Sequence, residues 1–183
     1  MIEQGTRLLA LDPGSRETGW VIVQTPSIWG DPPTVVASGK MANEDVRSCL
    51  RLGRFPKVPG PDEDLFAEAR FETAVIEWTA PRGMPASKDL METLMWVGRF
   101  IECLTRVASV GRVTRSEVKR AICGATNAKD TNVRRAILDV YGGDVAKGTK
   151  KAPGPLYGLK ADAWQALALA VAWASGEAQG FVP

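Results

Sequence analysis

The 183 residues predict an α/β domain, a mixed sheet of five short strands flanked by helices. Three observations carry that expectation. Short apolar runs bounded by turn residues recur along the chain, a long central stretch keeps a helical apolar period, and the last helical stretch is apolar almost all round. Strands and helices in this mixture bury their apolar faces by stacking helices on a sheet.

Leu8 to Leu11 is a continuous apolar run stopped by Pro13-Gly14, and Trp20 to Val23 follows a turn of small and polar residues. The pair predicts a β-hairpin with Asp12 at the exit of its first strand. Val35 to Gly39 predicts a third strand beyond a connection bearing proline and glycine, which gives the sheet an antiparallel start. Residues 43 to 55 predict a helix, and Phe55 to Asp64 a loop on its three prolines and one glycine. Ala74, Val75 and Ile76 predict a strand ending in Glu77, followed by breaker-rich sequence. Ser87 to Val107 predicts a long helix with Ser87 as N-cap and Leu90, Leu94, Val97, Ile101 and Leu104 on one face. Gly111 to Thr114 predicts the fifth strand, and Ser116 to Lys119 opens a short helix ending near Cys123-Gly124. Asp130 or Thr131 is expected to cap the next helix, with Val133, Ile137 and Leu138 inward. The stretch 141–158, rich in glycine and carrying three lysines, predicts a flexible basic loop, and Asp162 to Ala174 a buried helix.

This length suits one domain spanning residues 1–183, and 45% hydrophobic with 24% charged residues is ordinary for a soluble protein. Neither a secretory leader nor a membrane span is expected, and three widely spaced cysteines, Cys49, Cys103 and Cys123, read as reduced thiols of a cytoplasmic protein. There is no histidine. That removes Ser-His-Asp and Cys-His nucleophiles and any histidine base, leaving carboxylates, lysines or metals for chemistry. Charge is unevenly spread: residues 1–98 carry 10 Lys and Arg against 14 Asp and Glu, whereas residues 99–151 carry 12 against 5. A basic segment of this kind suits a polyanion such as nucleic acid, and equally a solvated helix surface.

The chemistry converges on three acids. Asp12 and Glu77 each end an apolar strand, and Asp162 opens the buried helix. Each has an ordinary role open to it: Asp12 can start an Asp-Pro-Gly turn, and Asp162 can answer free backbone N–H groups as a helix cap. Together they form the oxygen-rich set that Mg²⁺ or Mn²⁺ prefers. Two such ions, roughly 3.5–4 Å apart, activate water and stabilise a leaving oxygen in phosphodiester cleavage without any side-chain base.

On these residues the chain resembles the RuvC-type Holliday-junction resolvases of the RNase H-like nuclease superfamily. The matching features are Asp-Pro-Gly-Ser-x-x-x-Thr-Gly at Asp12 to Gly19, the strand ending Val75-Ile76-Glu77, the run Gly124 to Val133 around Lys129, and Ala161-Asp162-Ala163 with Ala166-Leu167-Ala168. The resemblance implies an RNase H-like fold acting as a homodimer that cuts four-way DNA junctions with two Mg²⁺ ions, Mn²⁺ substituting. It implies that Asp12, Glu77 and Asp162 bind the metals, and that Lys119 and Lys129 contact DNA near the scissile phosphate, Lys119 with a part in catalysis. One departure stands out, because the family often has a second acid or a histidine where this helix has Gln165. Residues three apart share a helix face, so the Gln165 amide oxygen remains a metal-ligand candidate without charge. Arg82 is a candidate phosphate contact and Met84 or Trp78 a candidate wedge against unstacked bases, with packing under the sheet the ordinary role for Trp78, and Arg134 is a further DNA-binding candidate. Other readings share parts of the pattern: another nuclease of the superfamily acting on flap, duplex or RNA substrates, a junction-binding protein with weak catalysis, and a sugar-kinase or actin-like ATPase, for which 183 residues leave no second domain.

Overall fold

Continuous burial along the first two strands, with side chains on both faces of the sheet, sets the architecture. In the computed structural model, which describes residues 5–26, 31–56, 66–68, 71–79, 85–104, 109–160 and 162–178, β1 (Arg7–Pro13) pairs antiparallel with β2 (Glu17–Gln24), and β2 with β3 (Thr34–Ala42). Helix α1 (Asn43–Leu52) follows, then β4 (Arg54–Pro56) and β5 (Phe66–Glu68), which pair as a separate two-stranded ribbon. Strand β6 (Thr73–Trp78) runs parallel to β1, helix α2 (Lys88–Leu104) crosses over, and β7 (Ser109–Thr114) runs parallel to β6. The main sheet has the order β3-β2-β1-β6-β7, and the chain closes with α3 (Arg115–Cys123), α4 (Asp130–Val140) and α5 (Ala163–Ala174). The expected mixed five-stranded sheet flanked by helices is therefore present.

The sheet is covered on both faces. Leu8, Ala10, Val21, Val23, Val75 and Val113 pack with α3, α4 and α5, while Leu9, Leu11, Trp20, Ile22, Ala74 and Ile76 pack with α1 and α2. Alternation along β1 thus assigns even positions to the α5 face and odd positions to the α2 face. Every side chain from Ala166 to Ala170 is 0% exposed, so α5 is the helix the sheet is built around. Burying a leucine such as Leu167 or Leu169 there is worth roughly 1.5–3 kcal/mol. Helix and sheet approach closely where Gly111 faces Trp173, since a Cβ at Gly111 would lie 2.2 Å from the indole ring.

Several expectations shift at their edges. Ser87 caps α2, its Oγ accepting from the Leu90 N–H at 3.2 Å, but the fully buried residues of that helix are Val97, Phe100 and Leu104. Phe55, expected in a loop, is 0% exposed in β4 and its ring lies 4.8 Å from that of Trp20; the prolines around it mask an apolar anchor. Thr114 caps α3 in a capping box with Glu117, a Thr-x-x-Glu signal visible in the sequence. Neither Asp130 nor Thr131 caps α4: Lys129 stands at that position without a side-chain cap, and Asp130 is the first helical residue.

The stretch 141–158, expected to be a flexible basic loop, carries a short 3-10 helix (Asp144–Lys147), a bridge between Gly148 and Pro153, buried Ala146 and Leu156, and a hydrogen bond from the Tyr141 hydroxyl to the Pro33 carbonyl. Composition counted its glycines and lysines and not these anchors. Lys150 and Lys151 are exposed.

Candidate active site

Asp12 and Glu77 come together because β1 and β6 are parallel neighbours in matching register. Leu11 pairs with Ile76, so the next residue on each strand is an acid. Asp12 follows the alternation of Leu8 and Ala10, and Glu77 that of Val75, which puts both carboxylates on the α5 face at the carboxyl edge of the sheet. Ligands of open α/β sheets bind at that edge.

Asp162 joins them through a missing side chain. Gly19 is the register partner of Asp12 on β2, and a Cβ on Gly19 would stand 2.6 Å from the Asp162 carbonyl oxygen and 2.8 Å from its Cβ. Only glycine lets the start of α5 lie this close to the hairpin. The ordinary explanation for Asp162 does not hold here, because its backbone is already helical (φ −71°, ψ −13°) and its side chain makes no cap hydrogen bond. The carboxylate instead pairs with Lys40 Nζ at 3.0 Å, and Lys40 also meets Glu17 at 2.8 Å. Lys40 sits opposite Gly19 on β3.

On the other side the acids meet α3 and α4. Arg115, the first residue of α3, reaches Glu77 at 3.4 Å and Asp130 at 2.8 Å, and Lys119, one turn further, meets Asp130 at 3.1 Å. Asp130 thereby holds two cations beside Glu77. Sequence reading singled out Lys119 and missed Arg115, Lys40, Glu17 and Asp130 as site residues. The capping box at Thr114 was the one local signal fixing where Arg115 begins its helix; Lys40 is legible only from strand register.

The acids differ electrically. Burial pushes the Asp12 carboxyl well above its ordinary range, the nearby charges of Glu77, Asp162 and Asp130 push it further, and Arg115 opposes them. Burial also raises Glu77, against the pull of Arg115. Partial burial pushes Asp130 up, but hydrogen bonds from Lys119 and Arg115 outweigh it and hold the carboxyl below its usual range. Lys40 is raised by its hydrogen bonds to Glu17 and Asp162. Among the described residues, Asp12 alone of the three predicted acids has no hydrogen bond or ion pair to its carboxylate.

The remaining candidates spread outward. Gln165 lies three residues into the helix from Asp162, half-buried, with its backbone N–H donating to the Asp162 carbonyl at 3.0 Å. Lys129 is exposed beside Asp130, and the Arg134 guanidinium lies over the Trp164 ring at 4.6 Å. Trp78, partly buried, packs on the α2 face with Arg112 over its ring at 5.0 Å. Arg82 and Met84 lie outside the described residues. Oxygen donors of this kind fit a hard divalent cation, and the unpaired Asp12 among acids is where one fits electrostatically. As the side chains stand, no three acidic or sulfur groups among the described residues form a ready-made metal cage, because Glu77 is drawn to Arg115 and Asp162 to Lys40.

Sheet order, crossover helix and buried last helix together define a RuvC-type fold of the RNase H-like class. Two solved structures similar to the chain are Thermus thermophilus RuvC, at 15% identity with a TM-score of 0.63, and T. thermophilus RuvC in complex with Holliday junction substrate, at 16% and 0.62. Each likeness covers 96% of this chain and 99% of the other. No protein-family model matches the sequence, and no curated protein matches it significantly. Identity this low carries the fold and leaves function to the residues. Among the described residues no helix is long and apolar enough to cross a membrane.

Proposed function

We propose that this chain is a divalent-cation-dependent endonuclease that cuts branched DNA, with the four-way junction as substrate and a homodimer as the working unit. The observation that carries the proposal is the convergence of Asp12, Glu77 and Asp162 at the carboxyl edge of β1 and β6, in a fold similar to a protein solved with a Holliday junction. Asp12, with Glu77 and Asp162 beside it, holds a hard cation such as Mg²⁺ or Mn²⁺. That cation, when bound, supplies an activated water and stabilises the leaving oxygen of the phosphodiester. Lys119 and Arg115 set positive charge beside Glu77 for the phosphate, while Lys129 and Arg134 extend a basic surface away from the acids. Arg82 and Met84 complete the proposed DNA contacts, as phosphate ligand and base wedge. Gln165 lends an uncharged oxygen on the Asp162 side of α5.

A second reading, junction binding without useful cleavage, is favoured by Gln165 and by the two cations already drawn onto Glu77 and Asp162. One experiment separates the two: incubation of a labelled four-way junction, beside duplex and flap DNA, with Mg²⁺ or EDTA and with Asp12→Asn as control. Paired, metal-dependent nicks on the junction that vanish in the control support the nuclease. Tight, salt-sensitive junction binding with no nicks in Mg²⁺ or Mn²⁺ supports the binding protein.

A further inference from the structure

The acids of this site arrive with partners. Lys40 comes from β3, two strands away from Asp12, and reaches Asp162 over Gly19, where the absent side chain leaves room. Arg115 comes from the opposite side, its start fixed by the Thr114–Glu117 capping box, and reaches Glu77 while Asp130 steadies it at 2.8 Å. Glu77 and Asp162 therefore each have an ion pair with a cation from a different element, whereas among the described residues Asp12 has no ion pair and feels Arg115 only through its charge. Five carboxylates, Asp12, Glu17, Glu77, Asp130 and Asp162, face three cations, Lys40, Arg115 and Lys119. The excess is two negative charges, which one divalent cation balances and two would overturn. Gln165 points the same way, since at its half-buried position in the first turn of α5 it brings an amide and no charge.

We propose that Arg115 and Lys40 are built-in counter-cations standing in for a second metal ion, so that the site holds one divalent cation, carried by Asp12. This rests on the nuclease reading and deepens it, by dividing the charge work between one ion and two side chains. Arg115 has the better geometry for a substrate role, because its planar guanidinium can bind Glu77 and still present N–H groups to a phosphate oxygen. Lys40, tied to Glu17 and Asp162, acts as a positioning residue.

The test counts ions rather than turnover. Free Mn²⁺ is measured by electron paramagnetic resonance as the metal is titrated into the full chain, into Arg115→Met, Lys40→Met and the double variant, and into Asp12→Asn, with circular dichroism confirming each fold. Both cation side chains are more than a third exposed, so the single variants fold even if the double does not. One ion per chain in the parent is expected, with a second appearing in the double variant, or at least a tenfold gain in second-ion affinity in either single one. Asp12→Asn is expected to bind none. Two ions in the parent overturn the proposal while leaving the nuclease reading intact, and one ion in every cation variant overturns it as well. No ion bound by the parent, free or on a junction, overturns the nuclease reading and this inference with it.

Discussion

The inner and outer acids of the sheet edge carry the same charge in different surroundings. Glu77 exposes 13% of its side chain, whereas Asp162, Lys40 and Glu17 expose 47%, 36% and 53%. The outer group is an ion-pair network in water, where each pair contributes little to stability and weakens with salt. The inner pair, Asp12 and Glu77, sits where desolvation raises both carboxyls, and the charge of Glu77 raises Asp12 further while that of Asp130 raises Glu77. The fold tolerates that cost on a rigid central strand flanked by fully buried Leu11 and Ile76. Partly buried acids with raised carboxyls at a sheet edge are a candidate functional site on physical grounds.

The largest expected effect is on the inner acids. Asp12→Asn should lower junction cleavage by at least about 10²-fold, the loss typical of removing one key stabilising group at a reacting centre. In the same variant, without metal, the melting temperature should rise, by about 2–4 °C for each kcal/mol of relieved repulsion. A variant that loses both cleavage and stability would place Asp12 in the framework instead.

Gly19→Ala comes next. Its new Cβ must displace the start of α5 or bend the hairpin, so a loss of about 1–3 kcal/mol is expected in chemical denaturation, with reduced cleavage. Unchanged stability and activity would mean that Asp162 is not held where the hairpin register puts it.

The inner acids also set a pH signature. A carboxyl raised in the folded state binds protons more readily folded than unfolded. Its contribution to stability is full below the unfolded value near 4 and is lost as pH rises through the folded value. The gap in melting temperature between metal-free Asp12→Asn and its parent should therefore widen as pH climbs from about 4 to 7. Asp130 has the opposite sign: its lowered carboxyl stabilises above the unfolded value and loses that contribution as pH falls through the folded one. A gap that narrows over the same range would contradict the assignment.

Smallest is the outer network. Lys40→Ala should shift the urea midpoint of the metal-free protein only slightly, and less in high salt. A larger loss would move the network from the surface into the core.

Much of this was legible in the chain. The hairpin around Pro13-Gly14, the strand carrying Glu77, which runs one residue further to Trp78, the Ser87 cap and the buried last helix all follow from local patterns of apolar period and turn chemistry. The burial of Phe55 depends on Trp20, and Asp130 reads as a cap in the sequence because its partners, Arg115 and Lys119, lie 15 and 11 positions back in the chain. Composition describes the stretch 141–158 as basic and rich in glycine, and carries no sign of Ala146 and Leu156 entering the core around α5.

By itself the sequence determined the ingredients: strands that end in acids, an acid opening a fully apolar helix, and a chain without histidine, because short-range periodicity and side-chain chemistry are local properties. Only the tertiary structure decided which charges meet. Register across β1, β2 and β3 set Lys40 over Gly19 beside Asp162, and the packing of α3 and α4 brought Arg115 and Asp130 to Glu77. Electrostatic partnership depends on distance in space, and neither strand register nor helix docking is written in the spacing of residues along one chain.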